Sequence, residues 1–181
     1  MNVFKLNADS NRFQNLVMLS NDDWSILRQF DGRHLLPSWT TPAVEVFRDD
    51  KFNRHLPPSD FPSLMGVPVF SLRAASVLKE MLTGNGELLP LSCSEGDYYA
   101  FSVTTSIDAL DESNSKVEKF ESSGRIMLVL QYAFFADRLS GATIFKIPQF
   151  PRTHVYVTNK FCKMVIDNGL LGFEFVNVWE G

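Results

Sequence analysis

Val155-Tyr-Val-Thr-Asn-Lys-Phe-Cys-Lys-Met-Val-Ile-Asp-Asn-Gly-Leu-Leu-Gly-Phe-Glu-Phe-Val-Asn-Val-Trp179 changes its hydrophobic period twice. Val155-Tyr-Val157 reads as a short strand. Thr158 stands where a helix N-cap is wanted, and Phe161, Cys162, Val165 and Ile166 recur with helical spacing up to Asn168. Gly169 sits at the stop position, and Phe173 to Trp179 returns to a strand pattern. Strand, helix and strand in so short a stretch predict a helix laid on a sheet, the signature of an α+β fold.

Working back from there, the spacing predicts one further helix, over residues 72–83. Ser71 is its N-cap, Leu72, Ala75, Leu78, Met81 and Leu82 form its stripe, and Gly84 lies at C′. Leu88 to Leu91 and Tyr98 to Thr104 read as strands. Arg125 to Phe135 is the longest β-rich run, and Asp137 to Gly141 makes a polar turn into Thr143-Ile-Phe-Lys-Ile147, so these two runs are expected to form a hairpin. Nearer the N-terminus, Val3 to Leu6 and Phe13 to Leu19 are β-like, and Asp31-Gly32 is a turn. Pro37, Pro42, Pro57 and Pro58 exclude continuous helix, and Ala43-Val-Glu-Val-Phe47 alternates like a half-buried strand. No repeat or low-complexity segment is present. The expectation is a mostly antiparallel sheet with about two main helices packed on it. Residues 1–60 read as a strand- and turn-rich N-terminal part and residues 61–181 as the core, together one compact domain.

The composition fits that reading. The chain has 181 residues, 45% hydrophobic and 21% charged, with 16 Phe, 4 Tyr and 3 Trp to anchor a core. Lys plus Arg is 17 and Asp plus Glu is 21, a net −4, which argues against an electrostatically driven nucleic-acid binder. The acidity is concentrated. Residues 94–121 hold Glu95, Asp97, Asp108, Asp111, Glu112, Glu118 and Glu121 against Lys116 and Lys119, so 2 − 7 = −5, and the rest sums to +1. Cys93 and Cys162 match no metal or redox spacing and read as free thiols of a reducing compartment. The N-terminus has no secretory pattern, and the longest apolar run, Ile126 to Leu130, is far too short to span a bilayer. The expected location is the cytoplasm, without membrane contact.

Chemistry is sparse. His34, His55 and His154 are isolated from one another and from either cysteine, and no HExxH or CxxC spacing occurs. Cys93 neighbours an acid and a strand, which would raise its pKa, so it reads as a core or sub-surface thiol. Thr83-Gly-Asn-Gly86 follows a helix instead of opening one, so it is a turn and not a phosphate loop. Asp108-Ala-Leu-Asp-Glu112 pairs acids, but the polar Ser113-Asn-Ser115 after it makes desolvated acid–base chemistry the weakest reading. A solvated acidic loop comes first and a recognition surface for a basic partner second. No catalytic residue, metal or cofactor is expected.

Several short pieces, in order, are similar to a bacterial immunity-protein pattern: Asp60-Phe-Pro62, Val69-Phe-Ser-Leu-Arg-Ala74, Gly86-Glu-Leu-Leu-Pro-Leu91, Tyr98-Tyr99, Asp108-Ala-Leu-Asp111, Ile144-Phe-Lys146, and the ending Val155 to Trp179. Over roughly residues 30–181 the chain resembles immunity protein family eleven of the polymorphic-toxin systems, formerly a domain of unknown function. The resemblance implies a non-enzymatic protein of the producer's cytoplasm that binds the toxic domain of a cognate secreted toxin and blocks it. Such proteins are usually encoded beside the toxin. The quoted motifs look architectural, with Phe61, Phe70, Phe173 and Trp179 as anchors and Gly169 and Gly172 in a turn. The first sixty residues match less well, leaving toxin specificity as one role for them. Asp97, Asp108, Asp111, Glu112 and Glu118 are the candidate toxin-binding residues. Two other readings compete: a small enzyme assembling His154, Asp137 and Cys93 beside Tyr98, Tyr99 and Trp39, and an adaptor or chaperone for an effector. Sequence counts favour neither a monomer nor a homo-oligomer.

Overall fold

In the computed structural model, which describes residues 1–20, 24–48 and 56–181, the elements in chain order are β1 (Asn2–Ala8), β2 (Leu16–Met18), α1 (Trp24–Leu27), β3 (Val44–Val46), β4 (Val69–Ser71), α2 (Leu72–Val77), α3 (Lys79–Leu82), β5 (Gly86–Leu91), β6 (Tyr98–Val103), β7 (Lys116–Lys119), β8 (Ile126–Gln131), β9 (Ile144–Phe145), β10 (Tyr156–Thr158), α4 (Asn159–Asp167) and β11 (Phe173–Glu180). The class is α+β, mostly antiparallel. One sheet has the order β11-β1-β10-β9, a second β4-β6-β5, and two pairs, β2-β3 and β7-β8, complete the set. Isolated parallel bridges, Ala43 to Ser92 and Ser106 to Lys146, stitch neighbouring sheets together.

The inner part of the first sheet is covered on both faces, while β11 at its edge stays largely open to water. Alternate residues point opposite ways. Leu6, Ile144, Val155 and Val157 face the helices, joining Phe70, Ala74, Leu78 and the α4 residues Phe161, Cys162 and Val165. Val3, Phe145 and Tyr156 face the other way, into a core with Val129, Tyr132, Phe134 and Leu139. There the Tyr156 hydroxyl meets that of Tyr132 at 3.1 Å. A register shift opposite Val3 and Phe4 leaves Val178 unpaired on β11, and both Val178 and Trp179 pack against this second core. A third cluster, with Leu16, Val44, Val46, Leu89, Leu91 and Ala100, packs β2-β3 on β4-β6-β5.

The β10-α4-β11 stretch follows its periodicity, with two corrections. Ile166 is exposed, because the helix buries only the narrower stripe of Phe161, Cys162 and Val165. Thr158 stands at the N-cap, but its hydroxyl donates to the Ala142 carbonyl instead of capping the helix. At the turn into β11, Gly172 has φ +88°, and a Cβ there would collide with the Ser59 hydroxyl.

The helix expected over 72–83 forms but breaks at Leu78, whose φ of −90° and ψ of 6° separate α2 from α3. Ser71 caps it as read, its Oγ accepting from the Ala74 amide at 3.1 Å, and Gly84 follows it with φ +81°. Two strand readings are corrected. Of Phe13 to Leu19 only Leu16–Met18 pairs, with β3. The hairpin expected between Arg125–Phe135 and Thr143–Ile147 does not form. β8 pairs with β7, while β9 enters the main sheet beside β10. The segment between them coils into a 3-10 turn, Ala136–Leu139, whose Leu139 is fully buried, and this plug sends the chain away from β8.

Candidate functional site

The β7-β8 hairpin follows directly on the loop that carries Asp108, Asp111 and Glu112, and itself holds Glu118. Its inner face is apolar for a structural reason: Val117 and Val129 are cross-strand partners, and both pack into the core around Tyr132, Phe134 and Tyr156. Its outer face is different. Glu118 stands opposite Leu128, and Leu128 is 41% exposed. The register shifts twice, each shift leaving one β8 residue without a partner, Met127 and Leu130, and both side chains are exposed, Leu130 by 50%. Met127 borders a cleft of about 380 Å³ with Phe120, Arg125, Gln149, Phe150 and His154.

Around this strip the candidate acids divide. Asp108 and Glu112 approach each other through Gln149, whose Nε2 lies 3.4 Å from Asp108 Oδ1 and 3.5 Å from Glu112 Oε1. Lys119 Nζ donates to Glu112 at 3.1 Å, and Arg138 donates to the Asp108 carbonyl at 2.5 Å while lying over the Phe135 ring. Glu118 is exposed on β7. Asp111 is the exception, only 8% exposed. Its Oδ1 accepts from the Ser113 hydroxyl at 2.5 Å and from the Ser113 and Asn114 amides, and its Oδ2 accepts from Asn114 Nδ2 at 2.6 Å. Those bonds, the Ser113 hydroxyl foremost, hold its pKa below the ordinary carboxylate value and fix the loop that presents its neighbours. Asp97 lies elsewhere, lining a cleft of about 590 Å³ with Asp60, Leu72, Arg73, Ser76 and Leu171.

The residues weighed for an enzyme sit in different clusters. Cys93, Trp39 and Tyr98 belong to the β2-β3 side, Tyr99 packs on the helix-facing core, and His154 lies tilted against Phe150 and edge-on to Tyr156 on the hairpin side. Burial pushes the His154 imidazole pKa down, assisted by Lys5. Asp137 is exposed on the outer side of the 3-10 turn. His34 meets Glu87 at 2.9 Å, and His55 lies outside the described residues. Both cysteines are free thiols, and burial pushes that of Cys162 up to about 12. Among the described residues no group of three or more His, Cys, Asp or Glu is placed to hold a metal ion, and no helix is long and apolar enough to cross a membrane.

A family model for the immunity protein family Imm11 matches residues 13–180. The chain belongs to the Imm11 family. A search of curated proteins finds no match. The Imm11 match begins at residue 13, ahead of the resemblance over roughly 30–181, and takes in β2 and β3.

Within this Imm11 chain three of the motif pieces noted in the sequence, Asp60-Phe-Pro62, Val69–Ala74 and Val155–Trp179, converge on one carboxylate. Asp60 Oδ1 accepts from Ser71 Oγ at 2.8 Å, and its Oδ2 accepts from Arg73 Nη1 at 2.7 Å and from the Leu171 amide at 3.0 Å. Arg73 Nη2 in turn donates to the Asn168 and Gly169 carbonyls at the end of α4. One acid thus ties the loop before β4, the start of α2 and the α4-β11 turn. Sequence reading passed over Asp60, although it opens the Asp60-Phe-Pro62 piece, because its partners lie far away in the chain. It also passed over Lys146, 4% exposed, whose ammonium donates to the Phe30 and Pro151 carbonyls at 2.6 Å each. Burial lowers that pKa to about 8. The outward Met127, Leu128 and Leu130 were missed as well. An all-apolar strand reads as core, and only the pairing register shows which side chains leave it.

Proposed function

We propose that this Imm11 protein neutralises a cognate secreted toxin domain in the producing cell's cytoplasm, as part of a polymorphic-toxin system used in competition between bacteria. It acts non-catalytically, by stoichiometric occlusion. The supporting observation is the Imm11 match over residues 13–180, and the hairpin surface supplies a means: exposed apolar side chains on β8 bordered by Asp108, Glu112 and Glu118. Asp111 serves that surface from within, by shaping its loop, and Asp97 extends the acidic character to a second cleft. A carboxylate rim of this kind steers a basic partner, raises its association rate and disfavours wrong partners. Active clefts that bind nucleic acid or nucleotides are basic for the same electrostatic reason, and toxins with such clefts are the matching partners of this rim.

The test uses the toxin domain encoded beside this chain. Titrating the protein into that domain should abolish toxicity at one equivalent, and co-expression should restore growth. Reversing Asp108, Glu112 and Glu118 together to Lys should weaken binding by about ten- to a hundredfold at low salt, mostly through slower association, and flatten the salt dependence. Toxicity that persists at excess inhibitor would refute the neutralisation reading. Unchanged affinity and salt slope in the triple variant would remove the rim from it.

A further inference from the structure

The cleft of about 590 Å³ beside the start of α2 holds polar groups that the fold leaves without partners. Ser71 pairs with Tyr98 across β4 and β6, and the Leu72 amide donates to the Asp97 carbonyl at 2.9 Å, so residues 97 and 98 are fixed at the cleft by backbone bonds. The Asp97 carboxylate is exposed and makes no hydrogen bond or ion pair among the described residues. Tyr98 is buried in the β2-β3 core, yet its hydroxyl also has no partner among the described residues. Burial above all, with Cys93, Glu95 and Asp60 nearby, pushes its pKa up, so the phenol stays neutral and offers its oxygen as an acceptor. Gly96 lines the cleft between them. Its φ is not left-handed, so the backbone does not require glycine there. A Cβ at this position would stand 3.2 Å from Tyr98 Cε2 and 3.6 Å from the hydroxyl, so the missing side chain leaves the hydroxyl uncovered.

Charge and shape choose the occupant. Arg73 is taken up by Asp60 and by the Asn168 and Gly169 carbonyls, and Glu95 is paired with Arg48. Asp97 is left as the one unpaired charge among the described residues that line the cleft. Leu72 and Leu171 add exposed apolar walls. Apolar walls beside a free carboxylate and a phenol oxygen suit an aliphatic stem that ends in a cation. We infer that this cleft receives one Lys or Arg side chain of the toxin domain, its stem along Leu72 and Leu171 and its head on the Asp97 carboxylate and the Tyr98 hydroxyl oxygen. This rests on the toxin-binding reading above and gives Asp97 a place in it apart from the hairpin. One exposed carboxylate holds a free amine only weakly, because water screens it. A side chain carried on a docked protein surface arrives with its position already fixed, which removes much of the entropic cost.

Surface plasmon resonance with the toxin domain encoded beside this chain tests the assignment. Asp97→Asn should weaken binding about tenfold and lower its salt dependence, and Tyr98→Phe should weaken it about threefold. Neither change removes a side-chain bond from the fold, so both variants should melt no lower than the native chain. Replacing the toxin's surface Lys and Arg residues by Ala, one at a time, should single out one residue. Its loss is large against the native chain and small against Asp97→Asn, a coupling that a purely structural role of Asp97 would not produce. If the native protein binds and Asp97→Asn binds equally well, or if no toxin residue couples to Asp97, the cleft assignment is wrong and neutralisation stands. Failure of the native protein to bind or protect overturns both. Micromolar binding of agmatine to the native chain, abolished in Asp97→Asn while toxin affinity stays unchanged, would assign the cleft to a small cation and overturn the inference.

Discussion

Asp60 and Asp111 are equally withdrawn from water, each 8% exposed, yet they do different things. The partners of Asp60 come from Ser71, Arg73 and Leu171, spread over more than half the chain. Those of Asp111 come from Ser113 and Asn114, its immediate successors. The bonds that hold the two carboxylates constrain the whole fold in one case and a single loop in the other. The lesson is that the reach of a buried charge is set by where its donors originate. In this protein the far-reaching acid belongs to the architecture, and the local one belongs to the surface.

The sharpest way to break that comparison is Asp60→Ala. It leaves the Leu171 amide and the Ser71 hydroxyl without their acceptor and Arg73 without its counter-ion. The expected loss is about 2–4 kcal/mol, tempered by the solvent exposure of Arg73, with the whole transition shifted in urea. A loss confined to the α4-β11 turn, seen by hydrogen exchange, would mean that the tie is local after all.

Lys146 extends the comparison to a buried cation held by carbonyls. Folding lowers its pKa from 10.5 to about 8, so between those values the unfolded chain keeps a proton that the folded chain has released. Stability therefore climbs as pH rises from about 8 to about 10.5, by roughly 1–3 kcal/mol from this group. Tyr156 and Cys162 act in the opposite sense in alkali, so the quantity to measure is the native chain minus Lys146→Met. A difference that stays flat across that range would show the ammonium to be better solvated than its burial implies.

The smallest effect belongs to Asp111→Ala, a loss of turn-capping bonds well below the cost of Asp60→Ala. Because the folded pKa lies below the ordinary 3.8, the stabilisation is present above that value and is lost as pH falls through the lower folded one. Exchange should quicken in residues 111–115 and leave α2 and β4 untouched. Global destabilisation matching that of Asp60→Ala would erase the distinction between the two acids.

The same contrast of near and far explains what could be read in the sequence. The β10-α4-β11 stretch was legible because helical and strand periods and the Gly169 stop are written within a few residues of one another. Ser71 as a cap and the half-buried β3 were legible for the same reason. The acidic window was visible because its charges cluster along the chain, and the Asp-x-Ser-Asn pattern from Asp111 could have revealed its turn. What stayed hidden depends on pairing. Arg125–Phe135 was matched to the wrong strand, since nothing local favours Lys116–Lys119 over Thr143–Ile147. With the partner unknown, the outward turn of Met127, Leu128 and Leu130 could not be seen. The convergence on Asp60 was illegible because it joins residues more than a hundred positions apart.

The placement of β1 has a consequence for how the molecule comes into being. Its neighbours on both sides are β10 and β11, far along the chain, so this strand stays unpaired until both of them are in place. Closing so long a loop precedes any reward from the central sheet, which slows folding and leaves β1 unsatisfied on a growing chain. The two cores packed on the faces of that sheet are then sealed last, when β10 and β11 close around β1.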